Sequence, residues 1–536
     1  MAKKKKARRR KKALEPTSPA EIPAPGPAHP KSAIKTVWIL PAAVVIIAVA
    51  GLFFILTSRG KNAVRRNPGL NILLITLDTT RADRLGCYGY AKGKTPNLDS
   101  LAAKGVRFEN AYCQVPLTLP SHCSIMTGTY PVYHNVHNNG TYTLAPQQVT
   151  LAEVLKDSGF KTAAFVASFS VDSRFGLNQG FDVYDDDFQP GLPFKTPNSE
   201  RRAEQVISVF TSWLEKNSGE HFFVWVHLFD PHLPYQPPPP YREQFADSPY
   251  DGEIAYMDSQ IGALVEKLKE KKILDRTLIV LAGDHGEAFG EKVETGHGVF
   301  LYDGTMKVPL IFYGENHLPA ARVVRGRVRL IDIMPSILDL LGLPKMGQTQ
   351  GKSLIPCFTG KENKDLESYI ETFYPRENYG WSQLTGLIRG DWKYIRAPRP
   401  ELYNLKSDPK ENGNVFGSTP KIASEMASGL ETVIKECAGI RGASNRNLTA
   451  AEEERLRALG YTSFSGGGTK SSYPDPKDKL DILRLTQQAG AYEFEKNYDQ
   501  AEAVYKKILA LVPDSPASYV NLALSQARSN KYEESI

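Results

Sequence analysis

The chain has 536 residues, 41% hydrophobic and 23% charged, with a formal net charge of +7. That balance excludes a disordered or low-complexity protein, and five cysteines in so long a chain exclude a disulfide framework, the odd count leaving at least one free thiol. The positive charge is not spread: residues 1–35 hold eleven Lys or Arg against Glu15 and Glu21, so the remainder sits near −2.

A basic tail suits nucleic acid or anionic lipid, and its position decides between them. Thr36 to Thr57 follows with no charged residue over 22 positions, enough to span a hydrocarbon core of about 30 Å. The segment ends in Phe53-Phe54-Ile55-Leu56-Thr57 without the small-residue site at which a secretory leader is cut. We therefore expect a basic cytoplasmic tail over 1–35, a single transmembrane signal anchor over 36–57 and a linker over 58–69. By the positive-inside rule the chain beyond 58 lies outside the cytoplasmic membrane, periplasmic or extracellular. No nucleic-acid reading motif follows, so nucleic acid is not an expected partner.

From residue 70 short apolar runs alternate with helical patterns. Ile72 to Leu77, Phe222 to Val226 and Leu278 to Leu281 predict strands buried on both faces, whereas Leu151 to Ser158, Ala203 to Lys216 and Gln260 to Lys271 carry apolar residues at helical spacing. This alternation predicts an α/β fold with a largely parallel sheet, whose ligands collect beyond the carboxyl ends of the strands. Asp78, then His227, Asp230 and His232, then Asp284 and His285 all stand at such ends. Thr118, in Pro116-Leu117-Thr118-Leu119-Pro120-Ser121-His122, precedes a helix-like run from Cys123 to Thr127. A hydroxyl there lies near free N–H groups and the positive end of a helix dipole, a place for an anionic ester.

Several of these segments carry a family resemblance. Leu77-Asp78-Thr79-Thr80-Arg81-Ala82-Asp83, Thr95-Pro96-Asn97-Leu98-Asp99, the Thr118 segment closing in Gly128-Thr129-Tyr130-Pro131, Asp230-Pro231-His232, Gly283-Asp284-His285-Gly286-Glu287, His297-Gly298 and Val308-Pro309-Leu310 resemble, in order, the sulfatase family of the alkaline phosphatase superfamily. Gly351-Lys352-Ser353-Leu354 and Glu401-Leu402-Tyr403-Asn404-Leu405 resemble its smaller C-terminal subdomain. The resemblance implies an alkaline-phosphatase-like catalytic domain over 70–345 with an α+β subdomain over 346–445. It implies that Asp78, Asp284 and His285 bind a divalent metal together with the Thr118 hydroxyl, and that His232 and His297 hold the ester oxygens or protonate the leaving group. Arg81 is the cationic side chain expected to offset charge on the transferring group. Three oxygens and one nitrogen suit zinc or manganese, and an all-oxygen set suits calcium better, so ion identity and number stay open.

Two departures from the pattern matter. Sulfatases of the ordinary kind carry Cys or Ser at the nucleophile position, with Pro two and Arg four residues later, and oxidise it to formylglycine. Here Pro120 is present, but the nucleophile is Thr118 and the fourth residue is His122. The β-carbon of threonine already carries a methyl and cannot become that aldehyde, which leans the reading toward phosphoryl rather than sulfuryl transfer. Thr79 stands where many sulfatases place a second metal carboxylate, leaving a sparser site. Asp230, His232 and His297 are then either a second metal site or substrate contacts.

Beyond the catalytic body, Glu452 to Tyr461 predicts a short helix, Ser463 to Gly468 and Pro474-Asp475-Pro476 a linker within 446–477, and 478–536 a tetratricopeptide repeat pattern. Leu485, Ala489, Tyr492, Ala501, Tyr505 and Pro513 sit at its spacings, Tyr532 and Ser535 recur at a period of 34, and the second copy is incomplete at Ile536. Two functions compete. One is a membrane-anchored, metal-dependent hydrolase or transferase acting on a phosphate or sulfate ester of the cell envelope, a glycan or lipid headgroup, with a protein partner on the repeats. The other is a catalytically degenerate scaffold whose repeats bind protein partners. Loops 188–198 and 373–381 are the expected recognition elements.

Overall fold

The computed structural model describes residues 64–188, 200–292, 294–361, 366–439, 444–445, 448–459, 461, 472–529 and 531. The basic tail, the apolar span 36–57, loop residues 189–198, the glycine-rich run 463–468, Tyr532 and Ser535 lie outside them. Among the described residues no helix is long and apolar enough to cross a membrane.

Eight strands form the main sheet: β1 (Asn71–Leu77), β2 (Val106–Tyr112), β3 (Lys161–Phe165), β4 (Val183–Asp185), β5 (Phe222–Leu228), β6 (Thr277–Gly283), β7 (Lys307–Tyr313) and β8 (Arg322–Arg329). Their order is β8-β2-β7-β6-β1-β5-β3-β4, and only β7 runs against the rest. The largely parallel sheet follows from the sequence: β1, β5 and β6 are buried along their whole lengths, as strands covered on both faces must be. Pro309, which lacks a ladder N–H, falls where the pairing of β7 with β2 shifts register.

Register places the site. Leu77 lies opposite Gly283 in the β1–β6 ladder, and Thr76 opposite His227 in β1–β5. The ladder continues one residue further, with Asp78 N–H donating to the Leu228 carbonyl at 2.9 Å and Asp284 N–H to the Leu77 carbonyl at 3.2 Å. The first residues past two adjacent parallel strands are therefore two aspartates, side by side.

Nine helices matter for the site and its surroundings: α1 (Thr118–Thr127), α2 (Leu151–Asp157), α3 (Ala203–Asn217), α4 (Pro249–Glu270), α5 (Pro420–Cys437), α6 (Ala450–Ala458), α7 (Leu480–Phe494), α8 (Tyr498–Leu511) and α9 (Pro516–Arg528). Two depart from expectation. Helix α1 begins at Thr118 itself, because Pro120 falls in the first turn, where its missing N–H costs nothing. Helix α4 begins at Pro249, well before Gln260. Its opening turns bury polar side chains such as Asp258, which accepts hydrogen bonds from the N–H groups of Asn97 and Leu98, so the apolar period is masked there.

Residues 368–404 form a four-stranded antiparallel sheet in sequence order, covered by α5 through Met426, Leu430 and Val433. This subdomain is tied to the main body by Lys393, whose buried ammonium lies 2.6 Å from Asp303 and 2.7 Å from Glu411. Residues 374–379, expected in a recognition loop, are helical, with Trp381 buried and stacked on Tyr379. The α7–α9 helices pack in succession around Ala489, Ala501, Val504, Tyr505 and Ile508.

Candidate active site

Thr118 is fully buried at the start of α1. Its Oγ1 lies 3.4 Å from Asp78 Oδ2 and 3.4 Å from His285 Nε2. Asp284 joins them, with one ligand atom each of Asp78, Asp284 and His285 within 4.8 Å of one another. The structure thus gathers Asp78, Thr118, Asp284 and His285 from three separated segments.

Their chemistry fits a divalent cation. Asp78 Oδ1 and Asp284 Oδ2 are buried without a hydrogen-bond partner, and two like charges so placed call for positive charge between them. Burial first, then the negative charge of Glu287, raises the Asp78 carboxyl well above its ordinary range. Burial, then Asp78, does the same to Asp284. His285 Nδ1 lies 3.0 Å from the Gly286 carbonyl; a proton donated there leaves an Nε2 lone pair facing the carboxylates, the usual orientation of a metal-ligating imidazole.

A second cluster, His122, His227 and Asp284, is also close-set, but its hydrogen bonds argue against an ion. The Thr118 carbonyl at 2.7 Å can only accept, so the neutral His122 ring donates from Nδ1 and accepts at Nε2 from Thr76 Oγ1 at 2.9 Å, while Thr76 accepts from Trp225 Nε1 at 2.9 Å. Both ring nitrogens of His122 are occupied, and the residue standing in place of the usual arginine is a packing residue against the Thr118 turn. His227 accepts at Nδ1 from Ala167 N–H and donates from Nε2 to Asp78 Oδ2 at 3.3 Å, orienting that carboxylate.

His232 and His297 stand together, their ring centroids 5.2 Å apart, and the His297 ring lies 4.4 Å from that of His285. Burial pushes both down to about 3, so both are neutral at physiological pH. His232 Nδ1 is taken by the Leu233 carbonyl at 2.7 Å, and its Nε2 is buried and unpartnered. His297 Nδ1 meets Glu287 Oε1 at 3.0 Å, with Tyr235 on the other carboxylate oxygen at 3.1 Å.

Two expectations are corrected. Arg81 is not among the contacts of Thr118: its guanidinium is spent on Asp83 at 2.8 Å, Glu291 at 2.6 Å and the Glu287 carbonyl at 2.9 Å. It closes the strand-end loop instead. Asp230 does not join His232 and His297 in a second metal set, because its Oδ2 accepts the Ala203 N–H at 2.9 Å and caps α3.

Sequence reasoning missed Asn139, Glu287 as the partner of His297, and Tyr461. Asn139 Oδ1 accepts the Leu119 N–H at 2.8 Å, which fixes the amide at the start of α1 and leaves buried Nδ2 without a partner. That N–H is suited to an ester oxygen. Tyr461, from the segment after α6, places Oη 3.4 Å from Thr118 Oγ1 and 3.1 Å from His297 Nε2. An Asn-Asn-Gly run carries the composition of a turn and no mark of chemistry, and nothing around Tyr461 marks it.

The family model for sulfatases matches residues 70–343, just over half of the chain, and that for the N-sulphoglucosamine sulphohydrolase C-terminal region matches 297–436. The N-acetylgalactosamine-6-sulfatase of Canis lupus familiaris is 25% identical over 378 residues, covering 59% of this chain and 70% of the relative. The Delta 4,5-hexuronate-2-O-sulfatase of Bacteroides thetaiotaomicron is 23% identical over 471 residues, covering 75% and 95%. The solved phosphonate monoester hydrolase of Agrobacterium radiobacter shares the fold with a TM-score of 0.58 at 21% identity, covering 71% of this chain and all of that one. The chain belongs to the sulfatase family and is an ester hydrolase of that generally metal-dependent family.

Proposed function

We propose that the protein is a metal-dependent hydrolase or transferase of phosphate or sulfate esters in which the Thr118 hydroxyl attacks the ester directly. The observation that carries this is the contact of Thr118 Oγ1 with Asp78 and His285, beside two buried carboxylate oxygens that lack any partner. Asp78, Asp284, His285 and Thr118 Oγ1 would hold the ion, which lowers the pKa of the hydroxyl and offsets charge on the transferring group. Thr118 supplies the attacking oxygen from a helix start, Asn139 Nδ2 and the backbone there receive an ester oxygen, and His232 and His297 bind the remaining oxygens or give a proton to the leaving group. Zinc or manganese suits this donor set.

Phosphoryl transfer is favoured over sulfuryl transfer because a threonine cannot be converted to the formylglycine of ordinary sulfatases. Two of the curated relatives are named as sulfatases of N-acetylgalactosamine and of a hexuronate, which supports a sulfated or phosphorylated glycan as substrate. The charge-free run 36–57 after a basic tail supports a single-pass anchor with the catalytic domain outside the cytoplasmic membrane. The helical stack α7–α9, with small residues Ala489 and Ala501 fully buried where helices meet, supports tetratricopeptide repeats that bind a protein partner.

The test is metal content together with a chromogenic panel of phosphate monoester, phosphodiester and sulfate ester, on wild type and Thr118→Ala. Activity in the wild type alone is expected. If both are inert on every ester with zinc or manganese supplied, the enzyme reading fails and the scaffold reading takes its place.

A further inference from the structure

The family-matched residues end at 436, yet one side chain that reaches Thr118 comes from beyond them. We propose that Tyr461 is a catalytic residue, its phenolic O–H donating a hydrogen bond to a non-bridging oxygen of the ester while Thr118 attacks. This rests on the ester-transfer reading above.

The geometry has three parts. Tyr461 Oη lies 3.4 Å from the attacking oxygen, so it can reach an oxygen of any group bonded there. Its donor direction is set from the other side. When His297 Nδ1 donates to the Glu287 carboxylate at 3.0 Å, the His297 Nε2 that faces Tyr461 at 3.1 Å accepts, and Tyr461 donates. Third, the residue is seated. Helix α6 opens with a capping box between Thr449 and Glu452, and Glu452 pairs with Arg174 at 2.8 Å. Leu456 lies over Gly140, where a Cβ would stand 2.1 Å from its Cδ1. The main body thus gives up a side chain at position 140 to admit the helix that carries Tyr461.

A residue that merely filled the site would need bulk, and phenylalanine would serve. Here the hydroxyl is the part of Tyr461 that meets both the nucleophile and His297. In the step, the bond from Thr118 Oγ1 to phosphorus or sulfur forms as the bond to the leaving oxygen breaks, the electron pair leaving with that oxygen; the Thr118 hydroxyl proton passes to Asp78 Oδ2, to which it donates at 3.4 Å, and the leaving oxygen takes a proton from a protonated His232 or His297. Tyr461 keeps its proton and supplies a hydrogen bond that strengthens as charge gathers on the non-bridging oxygens.

The test uses the full chain with manganese or zinc, comparing wild type, Thr118→Ala and Tyr461→Phe on the chromogenic ester panel. Calorimetric titration with orthovanadate serves as a readout independent of turnover, and the melting midpoint serves as a fold control. Tyr461→Phe is expected to lower kcat/KM about ten- to a hundred-fold, mainly in kcat, to weaken vanadate binding several-fold, and to leave the melting midpoint unchanged. Wild-type rates in Tyr461→Phe, with Thr118→Ala inert, overturn the proposal and leave the function standing. Faster turnover also overturns it, marking the tyrosine as a stopper that must withdraw. If wild type turns over no ester, the function fails, and vanadate affinity then decides alone: equal affinity in wild type and Tyr461→Phe overturns the role of Tyr461.

Discussion

Asp284→Asn should move stability in opposite directions with and without metal. The candidate ligand atoms of Asp78, Asp284 and His285 lie within 4.8 Å of one another, and at an effective dielectric of about 20 two full negative charges so separated repel by about 3.5 kcal/mol. Without a cation, the fold relieves this by holding a proton, since burial and mutual charge raise both carboxyls above their ordinary range. The substitution keeps the bonds that Asp284 Oδ1 accepts from His285 N–H at 2.7 Å and Thr79 N–H at 3.3 Å. It replaces the unpartnered Oδ2 by a donor beside Asp78. The metal-free variant should therefore gain up to about 3 kcal/mol, which over a body of roughly 370 residues corresponds to about 4 °C in melting midpoint. The wild type should gain about 2.7 kcal/mol from metal at a hundred times its Kd, a gain the variant lacks. Calorimetry on chelator-stripped and metal-loaded protein reads both. A lower metal-free midpoint, or an intact metal-induced shift in the variant, would refute the reasoning.

Further predictions follow from the same contacts. Because the folded carboxyls of Asp78 and Asp284 titrate above their unfolded value, their contribution to metal-free stability is full below that value and is lost as pH rises through the folded pKa. Metal binding, which needs both deprotonated, should strengthen over the same rise, so melting midpoints measured across it should slope in opposite senses with chelator and with metal. Thr118→Ser should retain most of the activity and Thr118→Ala should lose at least about a thousand-fold on a chromogenic ester, since only the first keeps a nucleophile. Lys393→Met strands Asp303 and Glu411, already pushed up to about 7 for Glu411, and should cost about 3–5 kcal/mol in denaturant unfolding; a loss below about 1 kcal/mol would remove the buried triad from the account. Gly140→Ala, at φ +83° under Leu456, should speed hydrogen exchange in α6 while leaving β1 and β6 protected.

Much of the sheet was legible because strands buried on both faces write themselves as unbroken apolar runs, as in β1, β5 and β6. The gathering of Asp78, Asp284 and His285 could be read from strand ends, since parallel neighbours in register bring their next residues together, whereas Thr118, at a helix start, was grouped with them only by the family resemblance. Arg81 shows where that logic stops. Strand-end position puts a residue near the site, but Asp83 and Glu291 decide where its charge goes, and their pairing with Arg81 is not written in any period. Asp230 was similarly claimed by the N–H of Ala203 at the start of α3. Tyr461 was invisible for another reason. Its place depends on how α6 docks over Gly140, a contact across more than 300 positions of sequence.

The central claim, that Thr118 is the nucleophile, is tested most directly by trapping. After rapid acid quench with a turned-over ester, a peptide spanning Thr118 should carry the transferred phosphoryl or sulfuryl group, and the Thr118→Ala protein should yield neither adduct nor product. Turnover in the wild type with no adduct on that peptide, and undiminished in Thr118→Ala, would contradict the account.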